Sequence, residues 1–311
     1  MDKLDNGKMD VTNPATSKIK ISLAFSPDTD DQFMVQALRE RKLDWGPYDF
    51  DFIVGDIQEL NEAARHGKHD ITAISMAAYP DLREEYLLMP VGSSIGDGFG
   101  PAVVTRPGVM INIADAGDSG DAGAAGTGLA GMRIAVPGLR TSAFLAARAL
   151  FGEFEAVPMY FMDIAPAVKS GRVDAGILIH EMQIDCETHG LTKVADLGAL
   201  WLKRFGLPIP LGGNAIRRSL GEHHVAALTR LFKDSIETGL AARQQTLKGA
   251  ISTAVAKLDE NLGDRYISMY VNHRSLELHD DVLAGLDRLL AEGSRLGLYG
   301  AIDARDHVVR I

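Results

Sequence analysis

A short pattern of a buried strand that ends abruptly in two ionisable residues most constrains the fold of this chain. Ile177 to Ile179 form an apolar run directly after Gly176, which is typical of a strand covered on both faces, as in parallel sheets. His180 and Glu181 follow where that strand must end. Because ligands of open α/β sheets bind outside the carboxyl ends of the strands, His180 is a candidate proton carrier near neutral pH. The alternative interpretation is a histidine that only packs in the first turn of a helix.

Length, charge and cysteine content exclude several classes of protein. The 311 residues are enough for two domains of ordinary size. The net charge of −10 comes without a dense basic cluster, which argues against nucleic acid as a partner. The single cysteine, Cys186, excludes an internal disulfide and gives no metal-binding pattern. No segment has the roughly 18 apolar residues that a membrane helix needs, and residues 1–17 are polar, so we expect a disordered tail and a cytoplasmic protein.

Hydrophobic periodicity predicts strands that alternate with helices, which is an α/β fold. The first predicted strand, at 19–25, leads into a helix for which Asp30 or Asp31 is the expected cap. The other strands are predicted at 49–54, 70–75, 86–91, 99–105 and 132–136. The other helices are predicted at 56–66, from Thr141 onward, at 222–258 and at 265–296.

The second half of the chain repeats the order of the first half. In residues 22–75 and again in 133–179, a strand and a Pro-containing loop lead into a helix. Each half ends with a helix, a glycine, two residues, an aspartate and a strand. The repeat brings Ser75 and His180 to equivalent strand ends. Two such lobes enclose a cleft of strand ends and helix N-termini, which suits a carboxylate or phosphate ligand.

The expected lobes are discontinuous in sequence. Residues 18–104 and 212–311 form the first predicted lobe, and residues 105–211 form the second. The segment 112–130 is rich in Ala, Gly and Asp, and we expect it to be a flexible surface insert. It does not suit a phosphate-binding loop, because a strand and not a helix is predicted to follow it.

Five sequence blocks give a specific resemblance when their order and spacing are taken together. They are Ser26-Pro27 with Asp31 and Phe33, Gly96 to Pro101, Val136-Pro137-Gly138 with Thr141, Gly176 to Glu181, and Gly206 to Gly212. On these blocks the chain resembles the 1,4-dihydroxy-6-naphthoate synthases, which are lyases of the futalosine route to menaquinone. The resemblance extends from about residue 19 to residue 298. The chorismate dehydratases of the same pathway share the fold and are the near alternative.

The resemblance implies a two-lobed fold like that of the type II periplasmic binding proteins, with a cleft between the lobes. It implies conversion of cyclic dehypoxanthine futalosine into the dihydroxynaphthoate by carbon–carbon cleavage, with a small-molecule carboxylate as substrate and no metal or organic cofactor. It places the catalytic base on His180. The expected substrate-binding residues are Asp30, Asp31, Ala73, Ile74, Ser75, Thr141 and Ser142.

Elementary chemistry is consistent with these roles and leaves alternatives open. Thr141 and Ser142 stand where a helix begins, so their hydroxyl and N–H groups can bind a carboxylate, but plain helix capping explains them equally. Ser75 is also compatible with a cap of the next helix. Glu181 is expected to support or cap rather than to catalyse, since no spacing pairs it with His180.

Several positions depart from the family pattern. Asp28-Thr29-Asp30 stands where the family has Cys-Pro-Asn, Gln32 replaces a threonine, and Ala73 replaces a lysine. Gaining a carboxylate and losing an ammonium both disfavour an anionic ligand, by roughly 1 kcal/mol or more for a close like-charge pair that is partly desolvated. These changes leave the exact substrate open.

A non-catalytic solute-binding protein of transport is the hypothesis from a different class. Such a protein is expected to carry an export signal or a lipid-anchor cysteine near its start, and residues 1–17 show neither. An ionisable base at a strand end also favours catalysis over binding alone.

Overall fold

The computed structural model of the protein describes residues 18–113, 127–255 and 258–311. The tail expected at 1–17 and most of the insert expected at 112–130 therefore lie outside the described residues. Within the described part of the chain, no helix is long and apolar enough to cross a membrane.

The elements alternate as the sequence predicts. Up to the first passage between the lobes they are β1 (Ile19–Phe25), α1 (Thr29–Arg39), β2 (Tyr48–Val54), α2 (Ile57–Arg65), β3 (Ile71–Ser75), β4 (Tyr86–Leu88) and β5 (Ser94–Gly96). The second lobe contains β6 (Ala102–Thr105), β7 (Arg133–Val136), α3 (Ser142–Phe151), β8 (Glu155–Pro158), α4 (Phe161–Lys169), β9 (Ala175–Leu178), α5 (Met182–Asp185), β10 (Thr192–Asp196) and α6 (Leu197–Phe205). The chain ends with β11 (Ile209–Arg217), α7 (Glu222–Ala241), α8 (Arg243–Thr253), α9 (Glu260–Tyr270) and α10 (Asp280–Arg295).

Each lobe is built on one mixed sheet. The first sheet has the order β2-β1-β3-β11-β4, and β5 also pairs with β11. The second sheet has the order β10-β6-β9-β7-β8. In the first sheet β2, β1 and β3 are parallel, and in the second sheet β8, β7 and β9 are parallel. The repeat seen in the sequence is therefore a repeat of one strand–helix–strand–helix–strand unit, and the carboxyl ends of its strands line the space between the lobes.

The chain changes sheets twice. The first passage lies between Gly96 and Ala102, and the second lies between Phe205 and Ile209. The strand β6 belongs to the second sheet and β11 to the first. The two passages are thus a few residues from the boundaries expected at 104/105 and 211/212.

Glycines allow the first passage to pack directly on the start of α6, the helix that precedes the second passage. A Cβ at Gly198 would overlap with the carbonyl oxygen of Phe99, and a Cβ at Gly100 would lie 2.9 Å from the backbone nitrogen of Gly198. The N–H of Leu197 donates to the carbonyl oxygen of Pro101 at 2.9 Å. Backbone therefore packs on backbone here, which only glycine permits.

The C-terminal helices pack mainly on the first lobe. Helices α7, α8 and α9 all contact α1, and α10 lies against β11. One buried cluster joins α1 to α7 through the side chains of Phe33, Leu38, Phe232 and Ile236. Helix α10 also reaches α3 of the second lobe, so the C-terminal segment contacts both lobes.

Several expected element boundaries are wrong. The strands expected at 86–91 and 99–105 are shorter, and β5 was not predicted because its three residues carry no readable period. The helices expected at 222–258 and 265–296 are four helices. Asp28, and not Asp30 or Asp31, occupies the N-cap position of α1, and its side chain makes no capping hydrogen bond.

The packing between the two passages predicts that a single added methyl group at Gly198 destabilises the protein. Gly198→Ala should lower the free energy of unfolding by on the order of 1–3 kcal/mol, because backbone rather than a flexible side chain must move. Gly300→Ala is the matched control, since no heavy atom lies within 4 Å of a Cβ built there. Urea denaturation of both variants measures the difference, and an equal loss in both would contradict this account of the crossings.

Candidate active site

A cavity lies between the lobes, where the carboxyl ends of β1, β3, β7 and β9 face one another. Its volume is about 90 Å³, which is small beside the roughly 300–1,000 Å³ of most ligand sites. All the residues expected to bind substrate lie on its wall: Asp30, Asp31, Ala73, Ile74, Ser75, Thr141 and Ser142. The sequence did not indicate other parts of the wall, which include Ser94, Pro101, Gly212, Gly213, Tyr266 and Tyr270.

The N-terminus of α3 contributes one end of this wall. Thr141 is the N-cap residue, and its Oγ1 accepts the N–H of Phe144 at 3.2 Å. The same hydroxyl donates to the carbonyl oxygen of Gly138 at 2.8 Å. The capping interpretation of Thr141 is therefore confirmed, and its hydroxyl is engaged within the protein.

Ser142 connects the two lobes. Its hydroxyl donates to the carbonyl oxygen of Leu211 at 2.6 Å and accepts the N–H of Ala77 at 3.1 Å. The first N–H groups of a helix have no acceptor within the helix. Ser142 and Ala143 line the cavity, and their backbone N–H groups are therefore the donors that α3 can offer to a ligand, together with its positive end.

Ser75 is held by a side chain that sequence reasoning missed. Asn61, fully buried in α2, donates its Nδ2 hydrogen to the Ser75 Oγ at 3.1 Å and accepts the Ser75 N–H at 2.8 Å. The Ser75 hydroxyl thus keeps its own hydrogen for a ligand. Ser75 occupies the N-cap position of a short 3-10 turn, Met76–Asp81, as the alternative interpretation expects, but its side chain makes no capping hydrogen bond.

The first turn of α1 brings carboxylates to the cavity. Asp30 accepts a hydrogen bond from the Ser94 hydroxyl at 2.7 Å, and Asp31 accepts the N–H of Ser26 at 2.8 Å. Asp28, just before the helix, also lines the cavity. Carboxylates at a helix N-terminus are favoured by the helix dipole.

Removal from water shifts these carboxylates toward the protonated form. Burial, followed by the neighbouring charge of Glu181, raises the pKa of Asp30 to about 6 even though the Ser94 hydroxyl opposes the shift. Burial, followed by the charge of Asp30, raises the pKa of Asp31 to about 7. Burial and then Glu181 raise the pKa of Asp28 well above its usual range. Asp30 and Asp31 therefore exchange protons in the range where most enzymes work.

His180 does not line the cavity. It follows Ile179, which does, and its side chain is 1% exposed. The ring packs edge-on against Phe161, with 4.9 Å between ring centroids. Its Nδ1 accepts the N–H of Met182 at 3.3 Å, and its Nε2 has no hydrogen-bond partner among the described residues. Burial lowers the pKa of His180 to about 4, so the imidazole is neutral at pH 7.

Glu181 links the lobes beside His180. Its Oε1 accepts the N–H of Thr29 at 2.8 Å and also the Thr29 hydroxyl hydrogen. Its Oε2 lies 3.7 Å from Nδ1 of His180 and has no hydrogen-bond partner among the described residues. Burial raises the pKa of Glu181. This contact joins residues 152 positions apart, which explains why spacing along the sequence did not reveal it.

Two tyrosines of α9 complete the wall. Tyr266 and Tyr270 stand four residues apart, on one face of the helix, and each is 3% exposed. The Tyr270 hydroxyl accepts a hydrogen bond from Nε2 of Gln183, in the other lobe, at 3.0 Å. The sequence gives no signal for this role beyond an aromatic pair in a predicted helix.

The described residues contain no group of three or more His, Cys, Asp or Glu side chains arranged to hold a metal ion. The chemistry that the cavity offers is hydrogen bonding, carboxylate acid–base behaviour and one neutral imidazole immediately behind the wall.

The raised pKa of Asp30 predicts that this residue lowers the stability of the fold in a pH-dependent way. Between pH 3.8 and about 6 the folded protein keeps a proton on Asp30 that the unfolded chain releases, so this group makes the fold less stable as pH rises. Asp30→Asn removes that cost while keeping an acceptor for Ser94. The variant should equal the unaltered protein in stability at pH 4 and exceed it by on the order of 1–3 kcal/mol at pH 8. Urea denaturation at both pH values measures this, and a constant difference would contradict it.

Comparison with known proteins gives one consistent family. The profile of a family described as menaquinone biosynthesis matches residues 21–295. A 1,4-dihydroxy-6-naphthoate synthase of Thermus thermophilus is 32% identical over 278 residues, which cover 89% of this chain and 95% of that protein. The enzyme of the same name from Streptomyces coelicolor is 33% identical and covers 91% of this chain and 95% of that protein.

Solved structures agree on the architecture. A protein of Archaeoglobus fulgidus has a TM-score of 0.79 and 34% identity, over 92% of this chain and all of that one. The periplasmic aliphatic sulphonate binding protein of Escherichia coli has a TM-score of 0.65 at 13% identity, over 94% of this chain and 98% of that one. At that identity the second similarity shows the fold alone, and it confirms the predicted two-lobed fold of the periplasmic binding proteins.

Proposed function

The chain belongs to the menaquinone biosynthesis family, and from that premise we propose that it is a 1,4-dihydroxy-6-naphthoate synthase. In this proposal it converts cyclic dehypoxanthine futalosine into the dihydroxynaphthoate by carbon–carbon cleavage, as a lyase. Two relatives with that name match over about nine tenths of the chain. The observation that supports the activity best is the single cavity wall that collects every residue expected to bind the substrate. A cytoplasmic location remains a prediction from the sequence.

We assign the substrate carboxylate to the N-terminus of α3. The hydroxyls of Thr141 and Ser142 are engaged within the protein, so the N–H groups of Ser142 and Ala143 are the donors for this group. The Ser75 hydroxyl adds a further donor from the first lobe. Helix N-termini bind anions through such N–H groups and through the helix dipole.

His180 is the proposed base, and it can act as one at Nε2 only if a neighbouring acceptor holds its proton on Nδ1. While Nδ1 accepts the Met182 N–H, the neutral ring carries its proton on Nε2 and cannot accept one there. A proton on Nδ1 would free the lone pair of Nε2. The Glu181 Oε2, 3.7 Å from Nδ1 and without another partner among the described residues, is the acceptor that can hold that proton.

In this proposal the lobes separate to admit the substrate. His180 is buried behind Ile179, and the cavity is small. The contact between Thr29 and Glu181 joins the lobes directly beside the histidine. Opening would break this contact and expose the imidazole, and closing on the substrate would restore it and exclude water.

The activity is tested by incubating the purified protein with cyclic dehypoxanthine futalosine and following dihydroxynaphthoate by mass spectrometry. His180→Ala should lower turnover by at least about 10²-fold, because general base catalysis is lost. Its thermal unfolding should remain cooperative. His223→Ala, at an exposed helix start, is the matched control and should keep full activity. Product formation by His180→Ala at the normal rate would exclude His180 as the base, and no product from any of these proteins would refute the activity itself.

Glu181 should act as a positioning residue for His180. Glu181→Gln keeps the size of the side chain but weakens its hold on Nδ1–H, so kcat should fall by at least about ten-fold with little change in KM. The control is Glu62→Gln, which takes the charge from another contact between the lobes, the 2.8 Å pair with Arg140. The pH profile of kcat should shift only in Glu181→Gln. An identical loss in both variants would mean that Glu181 only holds the lobes together.

A further inference from the structure

We infer that one wall of the cavity, formed by Asp28, Asp30, Asp31 and Tyr266 and here called the acid–tyrosine wall, is a subsite for a hydroxylated, sugar-like part of the ligand. The inference deepens the proposed function and rests on it, because cyclic dehypoxanthine futalosine has an aromatic carboxylate at one end and a sugar-derived part at the other. It fixes which way round the substrate lies.

The acid–tyrosine wall has more hydrogen-bond acceptors than the protein uses. Asp30 receives the Ser94 hydroxyl on one oxygen, and Asp31 receives the Ser26 N–H on one oxygen. In the part of the chain that the structure describes, no lysine or arginine pairs with these carboxylates. At pH 8 Asp30 and Asp31, whose pKa values are about 6 and about 7, are ionised, and each ionised carboxylate has about four acceptor positions. The Ser26 hydroxyl also interacts with Asp28 and Asp31. Because all three carboxylates line the cavity, acceptor positions that the protein leaves free are open to ligand groups that donate.

Tyr266 adds a donor to the same wall. Its side chain is 97% buried and lines the cavity, and none of the described residues forms a hydrogen bond with its hydroxyl. Burial, followed by the charges of Asp30 and Asp28, raises the pKa of Tyr266 well above its ordinary value, so the phenol keeps its hydrogen. Tyr270, four residues later, differs because Gln183 occupies its hydroxyl. The Tyr266 hydroxyl has no such bond and keeps some accessible surface, so a ligand in the cavity can pair with it.

Only one end of the substrate matches this combination. The hydroxyls of a sugar-derived ring donate to carboxylates and accept from a phenol, whereas an aromatic carboxylate would meet like charge. The carboxylate has its own donors in the other lobe, at the N-terminus of α3. The departure at Asp30 then ceases to conflict with an anionic substrate, because the anionic end does not lie against this carboxylate.

Calorimetry with two compounds tests this orientation. All proteins carry His180→Ala, so the substrate is not consumed, and each is titrated with cyclic dehypoxanthine futalosine and separately with 1,4-dihydroxy-6-naphthoate, which lacks the sugar-derived part. Tyr266→Phe and Asp30→Asn should each weaken futalosine binding about ten-fold and change naphthoate binding less than two-fold, as expected for one lost hydrogen bond. Ser75→Ala should weaken the binding of both compounds.

The control is Tyr48→Phe, which removes the hydroxyl of another buried tyrosine of the first lobe. That hydroxyl contacts His224 at 2.9 Å and not the cavity, so the affinity for both compounds should stay unchanged. Equal losses for the two compounds in Tyr266→Phe, or no loss for either, would overturn the subsite. A further outcome is that the unaltered protein makes no naphthoate while Tyr266→Phe and Asp30→Asn still weaken the binding of the futalosine alone. In that case the proposed function fails and the subsite stands. If the cyclic futalosine does not bind at all, both fail.

Discussion

The architecture depends on the close backbone packing where the chain passes between its two sheets. Phe99 and Gly100 lie against Gly198, and no side chain fits between them. This packing fixes one sheet relative to the other, so that the carboxyl ends of the parallel strands in both lobes face one space. The acids of α1, the N-terminus of α3 and the end of β9 reach the same cavity only because of that arrangement.

Buried polar contacts then decide how the lobes meet. Glu181 joins Thr29, Ser142 joins Leu211, and Gln183 joins Tyr270 across the interface. Each such hydrogen bond contributes only about 0.5–1.5 kcal/mol net, but a partner left buried and unpaired costs about 1–3 kcal/mol. The closed state is therefore favoured only when these pairs form together. Because Glu181 also lies beside His180, the proposed mechanism makes closing the lobes and preparing the imidazole one event.

The sequence predicted the alternating elements, the repeat and the two lobes, because these follow from periodicity over short windows. Through the resemblance it also indicated residues that all lie on the cavity wall, and their role in binding stays a prediction. The roles of Asn61, Glu181 and Tyr266 could not be predicted, because each depends on a partner or a cavity formed by distant parts of the chain. His180 was expected on the wall and lies behind it, since a strand pattern gives the position of a residue but not the direction of its side chain.

The central claim is that the cleft binds one molecule with its two ends in different chemical surroundings. The most direct measurement is a crystal structure of the His180→Ala protein with cyclic dehypoxanthine futalosine. The account predicts the carboxylate at the N–H groups of Ser142 and Ala143, and the sugar-derived hydroxyls at Asp30 and Tyr266. A ligand bound in the reverse orientation, or outside the cavity, would contradict it.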